Sequence, residues 1–123
     1  MRIAVIGAGN WGINIVRNLS ELSVLSHVVE KNSGLTNQIE KDFSEVQCLE
    51  NYDALLEAEI NAVAIATPAQ YHYDIALKFL EAGKDVFIEK PMTLSSKEAK
   101  SLVSIAEDND SILMVGHMLM YQP

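Results

Sequence analysis

The sequence predicts an α/β fold: a doubly wound parallel six-stranded sheet with helices on both faces. Three observations carry this expectation. Short apolar runs alternate with longer stretches whose apolar residues recur at helical spacing. The first run breaks into Gly7-Ala8-Gly9-Asn10-Trp11-Gly12, the glycine spacing of a strand-to-helix turn that can receive a phosphate. The later runs end in Glu30, Thr67-Pro68, Glu89-Lys90-Pro91 and Gly116, residue types suited to a ligand-facing sheet edge.

Ile3, Ala4, Val5 and Ile6 form the near-continuous apolar run of a strand buried on both faces. In the turn that follows, the first glycine permits the tight reversal, the second lets backbone approach a pyrophosphate, and the third lets helix pack closely on strand. Phosphates would sit at the helix N-terminus, where free N–H groups and the positive dipole end stabilise anions without a basic side chain. A plain strand-turn-helix corner would show two of these glycines, so the flanking patterns matter. Ile13, Val16, Leu19 and Leu22 recur at helical spacing and supply that context.

Val24, Leu25, Val28 and Val29 predict a second strand ending at Glu30, eighteen positions after Gly12. A dinucleotide fold places an acidic side chain there to accept hydrogen bonds from the adenosine ribose hydroxyls. A 2′-phosphate would meet like charge, so Glu30 favours NAD over NADP, without excluding NADP because Lys31 stands beside it. The plainer alternative is an ordinary exposed glutamate at a strand end. Asn32-Ser33-Gly34 is a turn cluster, followed by a helix with Leu35, Ile39 and Phe43 on one face and by a short strand from Val46 to Leu49. Asn51 can cap a short helix whose apolar side is Tyr52, Leu55 and Leu56.

Asn61 to Ala66 predicts a fourth strand, closed by Thr67-Pro68 because proline cannot continue a central sheet ladder. From Ala69 a helix should carry Tyr71, Ile75, Ala76, Phe79 and Leu80 inward and end at Gly83. Asp85 to Ile88 is a fifth strand, closed by Glu89-Lys90-Pro91. Ser95 and Glu98 form a capping box for a helix burying Ala99, Leu102, Val103 and Ala106. Asp108-Asn109-Asp110 turns the chain into a last strand, Ile112 to Val115, followed by Gly116-His117 and the apolar tail Met118 to Tyr121. Right-handed crossovers between such strands give the Rossmann arrangement, which binds ligands beyond the carboxyl ends of the strands where strand order reverses. Gly7, Glu30, Thr67, Glu89 and Gly116 all fall at such ends.

The chain has 123 residues, 49% of them hydrophobic and 21% charged, which suits one folded domain rather than a disordered segment. A net charge of -8 without a basic stripe argues against nucleic acid as a partner. The single cysteine, Cys48, has no second cysteine for an internal disulfide or a CxxC motif, so it is expected to be a small buried hydrophobe, and no metal site is expected. The chain opens directly on a strand without the pattern of a signal peptide, and no apolar run approaches about 18 residues. No membrane partner and a cytoplasmic location are therefore the expectation.

Across its full length the chain resembles the Gfo/Idh/MocA oxidoreductases. The resemblance is carried by the glycine motif, Ala66-Thr67-Pro68 with His72 following, Ala82-Gly83-Lys84-Asp85-Val86 leading into Glu89-Lys90-Pro91, and the Gly116 segment closing on Pro123. Glu-Lys-Pro is its most specific part. The resemblance implies an N-terminal domain binding NAD(H) or NADP(H), joined to a C-terminal substrate domain built on an open antiparallel sheet. It implies that Gly7, Gly9, Asn10, Trp11 and Gly12 line the pyrophosphate and Glu30 the ribose. Thr67 and Pro68 would run under the nicotinamide half with His72 nearby, and Glu89 and Lys90 would lie beside the nicotinamide. Lys90 is the implied catalytic residue, its ammonium stabilising charge that develops as hydride leaves the substrate carbon. The Lys90-Pro91 bond is cis in relatives. For His72, a ring meeting a backbone carbonyl is an equally good reading.

Two departures from the family pattern stand out. Many relatives carry Gly-x-x-x-Arg-Phe-x-Pro after the last strand, whereas Met120 and Tyr121 occupy those places here. That form, with Trp11-Gly12, Asn14 and Arg17-Asn18, is similar to a branch associated with sugar-nucleotide biosynthesis. Family members also run past three hundred residues, and the substrate domain supplies the general acid and base. Residues 1–123 are thus expected to be the dinucleotide-binding domain of a longer two-domain enzyme, with the C-terminal substrate domain absent. The piece should bind cofactor without turnover. Its expected partners are a nicotinamide dinucleotide, a sugar-like substrate in the full-length enzyme, and further copies of itself. The apolar stretch Ile112 to Tyr121 would, if uncovered, favour self-association. A stand-alone NAD(H)-binding sensor or scaffold is the competing class. A dinucleotide domain from another reductase class shares the glycine turn but explains Glu89-Lys90-Pro91 less well.

Overall fold

The computed structural model describes residues 1–116; His117, the tail Met118 to Tyr121 and Pro123 lie outside the described residues. Six strands, β1 (Ile3–Ile6), β2 (Leu25–Val29), β3 (Gln47–Leu49), β4 (Ala62–Ile65), β5 (Asp85–Glu89) and β6 (Leu113–Gly116), form one sheet in the order β3-β2-β1-β4-β5-β6. Every pairing is parallel. Four helices, α1 (Gly12–Glu21), α2 (Ser33–Asp42), α3 (His72–Glu81) and α4 (Ser96–Asp108), connect them. The chain winds outward from β1 to β3, then returns to β4 on the other side of β1. The β1/β4 boundary is therefore the point where strand order reverses, as the doubly wound reading expects.

Successive strand residues face opposite sides of the sheet, which divides each apolar run between two cores. Ala4, Ile6, Val63, Ile65, Val86 and Ile88 meet α3 and α4 through Phe79, Leu80, Leu102 and Ala106. Val5, Val28 and Ala64 meet α1 and α2 through Val16 and Ile39. Because both faces are used, the strands read as continuous rather than alternating hydrophobic runs. Phe79 is fully buried, with its ring 5.9 Å from that of Tyr52. On the α1/α2 face the cover is uneven: Phe87 is half-buried, and Met114, its register partner on β6, is 46% exposed.

Local chemistry sets the element ends. Asn32 accepts a hydrogen bond from the Leu35 N–H at 3.2 Å and Ser95 one from Glu98 N–H at 3.1 Å, capping α2 and α4. Gly83 takes φ +77 just after α3. Asn51 accepts from the Asp53 N–H at 2.9 Å, but the expected helix after it is a single 3-10 turn, Asp53–Leu56. Three residues expected to face inward do not. α1 stops at Glu21, leaving Leu22 exposed where the chain reverses through Ser23 at φ 60. Tyr71 sits in a 3-10 turn, Ala69–Tyr71, that precedes α3, and is 51% exposed. Val103 lies one residue, about 100°, around α4 from the buried Leu102 and stays outside. Cys48 is partly buried in β3, where burial and then the charge of Glu40 push its thiol up, away from the reactive thiolate.

These placements separate two substitutions. Phe79→Ala is expected to lower unfolding free energy by about 3–5 kcal/mol, whereas Val103→Ala should change it by less than about 0.5 kcal/mol. Urea titration followed by circular dichroism measures both.

Candidate functional site

The carboxyl ends of the strands bring Gly7, Glu30, Thr67, Glu89 and Gly116 to one edge of the sheet. Gly7 leaves β1 at φ +94, its N–H donating to the Val29 carbonyl at 2.9 Å. A Cβ at this position would stand 2.9 Å from the Ala66 carbonyl and the Thr67 nitrogen. A Cβ on Gly12 would collide with the Gly7 carbonyl oxygen and lie 3.3 Å from the Ala66 Cβ. The end of β1, the end of β4 and the first turn of α1 are thus packed backbone to backbone. Gly9 differs, since a Cβ there would meet nothing within 4 Å. The protein's own packing demands the first and third glycines but leaves the space over the second unused.

That space adjoins an uncapped helix end. No side chain caps α1 and no acidic residue lies in its first turn. Ile13 N–H donates to the Gly9 carbonyl, while the N–H groups of Gly9, Asn10, Trp11 and Gly12 take no backbone partner among the described residues. Asn10 is exposed and Trp11 is 41% exposed at this opening. A helix start with unpaired donors and no acidic residue in its own first turn is suited to an anion.

Glu30 is attached to that turn. One carboxylate oxygen accepts from the Ala8 N–H at 2.9 Å and the other from Asn32 N–H at 3.0 Å, so the side chain joins the glycine turn to the loop after β2. Each oxygen keeps a further lone pair for an outside hydroxyl. Across the switch point, the Thr67 hydroxyl oxygen is buried with no hydrogen-bond partner, a state shared among the described residues only with Ser111. An orphaned buried hydroxyl costs free energy until something pairs with it, so its place at this edge fits a bound polar ligand.

The sequence leaves two readings open for His72, a cofactor contact and a ring meeting a backbone carbonyl. The structure has the second: the ring is 1% exposed, Nε2 lies 2.8 Å from the Thr67 carbonyl oxygen and Nδ1 2.8 Å from that of Pro91. A ring enclosed and spent on two carbonyls orders the loops around it and is not presented to a ligand. The Lys90-Pro91 bond is cis. Lys90 and Pro91 are exposed, Pro68 is exposed beside the buried Thr67 hydroxyl, and Glu89 ends β5 half-buried. Glu89 pairs with Gly116, where a Cβ would stand 3.0 Å from the Glu89 carboxylate and 2.9 Å from the Phe87 ring.

Sequence reasoning missed the parts played by Ala8 and Ala66. Ala8 donates its N–H to Glu30, and Ala66 is the surface on which both tight glycines rest. Their small side chains beside the glycines and before Thr67-Pro68 were the available signal. Among the described residues, no group of three His, Cys, Asp or Glu side chains is placed to hold a metal ion, and no helix is long and apolar enough to cross a membrane.

Residues 1–117 match the family model for oxidoreductases with an NAD-binding Rossmann fold. The UDP-N-acetylglucosamine 3-dehydrogenase of Acidithiobacillus ferrooxidans is 34% identical over 125 residues, covering 100% of this chain and 39% of that protein. The NAD(+)-dependent scyllo-inositol 2-dehydrogenase of Bacillus subtilis is 32% identical, covering 100% of this chain and 37% of the relative. The crystal structure of GenD2 from gentamicin A biosynthesis, in complex with NAD, superposes with a TM-score of 0.92 at 27% identity, covering 100% of this chain and 36% of that one. The chain thus spans under two-fifths of the length of these relatives.

The three glycines should separate by substitution. Gly12→Ala is expected to destabilise the fold by about 3 kcal/mol, and Gly7→Ala by a similar amount because the residue also needs a positive φ. Gly9→Ala should stay within about 0.5 kcal/mol of the wild type in the same denaturation measurement.

Proposed function

The chain belongs to the Gfo/Idh/MocA oxidoreductase family, with its NAD-binding Rossmann fold, and from that premise we propose that it is the cofactor domain of a two-domain dehydrogenase. The enzyme moves hydride between the nicotinamide and a hydroxyl-bearing carbon of a sugar, sugar nucleotide or polyol. One observation carries the cofactor half of this reading. The space that packing leaves unused over Gly9 adjoins unpaired N–H groups, with Glu30 fastened to the same turn and the unpaired Thr67 hydroxyl across the switch point. The substrate class is supported by the relatives, which include a nucleotide-sugar dehydrogenase and an inositol dehydrogenase.

In this reading Gly7, Gly9, Asn10, Trp11 and Gly12 hold the pyrophosphate through backbone N–H groups. Glu30 accepts from the adenosine ribose hydroxyls and repels a 2′-phosphate. Thr67 and Pro68 form the floor of the nicotinamide half, with the Thr67 hydroxyl donating to a polar group there, and Glu89 and Lys90 form its flank. When bound, the nicotinamide supplies the carbon that accepts hydride. Lys90 would donate a hydrogen bond from its ammonium to the substrate hydroxyl oxygen and stabilise the negative charge that grows there as the hydroxyl proton leaves, charge that is relieved when hydride departs and the carbonyl forms. Turnover also requires a positioned substrate and a proton acceptor, which this reading assigns to a second domain. Residues 1–123 alone bind cofactor without catalysing its reduction.

Calorimetric titration of the 123-residue chain with NADH and NADPH tests the proposal. NADH should bind more tightly, and Glu30→Ala should weaken NADH by roughly tenfold, equivalent to about 1.4 kcal/mol, while narrowing the gap to NADPH. Gly9→Ala should lose NADH affinity without losing stability. Binding of neither dinucleotide would remove the cofactor reading, and equal affinities that Glu30→Ala leaves unchanged would remove Glu30 as the selector.

A further inference from the structure

We propose that His72 is a positioning residue that sets the nicotinamide half of the site by clamping together the loops after β4 and β5, an inference that rests on the function proposed above. β4 and β5 are neighbours in the sheet, and the loops that follow them lead separately into α3 and α4. The imidazole, at the first residue of α3, bridges the two loops with 2.8 Å contacts to the Thr67 and Pro91 carbonyl oxygens. Among the described residues, no other side-chain hydrogen bond joins the Thr67–Tyr71 stretch to the Lys90–Ser95 stretch.

The chemistry explains why a histidine stands here. Carbonyl oxygens only accept, so a ring N–H is the kind of group that holds one, and the imidazole sets a nitrogen 2.8 Å from each carbonyl on opposite edges of one rigid plane. A residue required only to fill volume at a site 1% exposed could be apolar, avoiding the cost of burying a polar ring. The two carbonyls flank the residues that matter. Thr67 carries the unpaired hydroxyl, and Pro91 directly follows Lys90. Holding both carbonyls holds the backbone from which the Thr67 and Lys90 side chains depart.

A comparison of two ligands separates this role from simple stability. NADH and ADP-ribose share the adenosine, pyrophosphate and second ribose, and only NADH carries nicotinamide. Wild type, His72→Leu and His72→Gln are titrated with each, and amide hydrogen exchange of the unliganded proteins is followed at 67–72 and 89–93. In His72→Leu, NADH affinity is expected to fall roughly tenfold while ADP-ribose stays within about twofold, with faster exchange confined to the two loops. His72→Gln, which keeps an N–H donor, should recover part of the loss and carries the comparison where the leucine variant does not fold. Equal losses for both ligands, or no loss for either, overturn the proposal. If the wild type binds neither ligand, the functional reading fails instead. His72 is then judged on exchange alone: loops freed in the variants support the clamp, and unchanged protection overturns it.

Discussion

Everything at the ligand edge depends on one close approach, that of the Gly7 carbonyl, the Gly12 α-carbon and the Ala66-Thr67 peptide. No side chain fits between them: a Cβ at either glycine would penetrate backbone. Backbone cannot swing aside as a flexible side chain can, so the contact fixes the first turn of α1 against the ends of both β1 and β4. Those two strands flank the reversal of strand order. The helix end therefore meets the sheet where strand order reverses, and its unpaired N–H groups have no competing side-chain cap.

Around this fixed point, two ionisable side chains serve the backbone in complementary ways. Glu30 accepts from two N–H groups, those of Ala8 and Asn32, and His72 bonds to two carbonyls, those of Thr67 and Pro91. Each joins loops that follow different strands. Ordering loops before a ligand arrives lowers the entropy lost on binding, so such residues can raise affinity without spending a contact on the ligand. Glu30 retains lone pairs for that ligand, whereas His72 has no free nitrogen. The two residues therefore stand differently toward a bound dinucleotide although both are tied to backbone.

The sheet is covered unequally. Its α3/α4 face buries the larger cluster, centred on Phe79, Leu80 and Leu102. On the other face, α1 and α2 lie over β1 to β3, and an apolar groove bordered by Ile15, Leu19, Ala64 and Phe87 runs alongside α1. Ala64 is small and Phe87 large at paired positions of β4 and β5, so the groove has a stepped floor. Met114 continues that face outward with nearly half of its surface exposed.

The sequence by itself determined the α/β class, the six strand segments and the glycine turn. Those signals are local: a run of apolar residues, a helical period, a proline that cannot join a ladder, a glycine that alone tolerates positive φ. It also brought Glu30, Thr67 and Glu89 to strand ends, because a parallel sheet puts every carboxyl end on one edge. Periodicity failed where an element merely stopped or rotated, at Leu22, Tyr71 and Val103. Only the tertiary structure decided that Gly7 and Gly12 answer to Ala66 while Gly9 answers to empty space, and that the Glu30 carboxylate holds the Ala8 amide. Only it decided between the two readings of His72, placing the ring on backbone carbonyls and on two of them at once. Apart from His72 and Thr67, five residues apart, those pairs lie far apart along the chain, and their separations are set by how strands and helices pack, which no local pattern encodes.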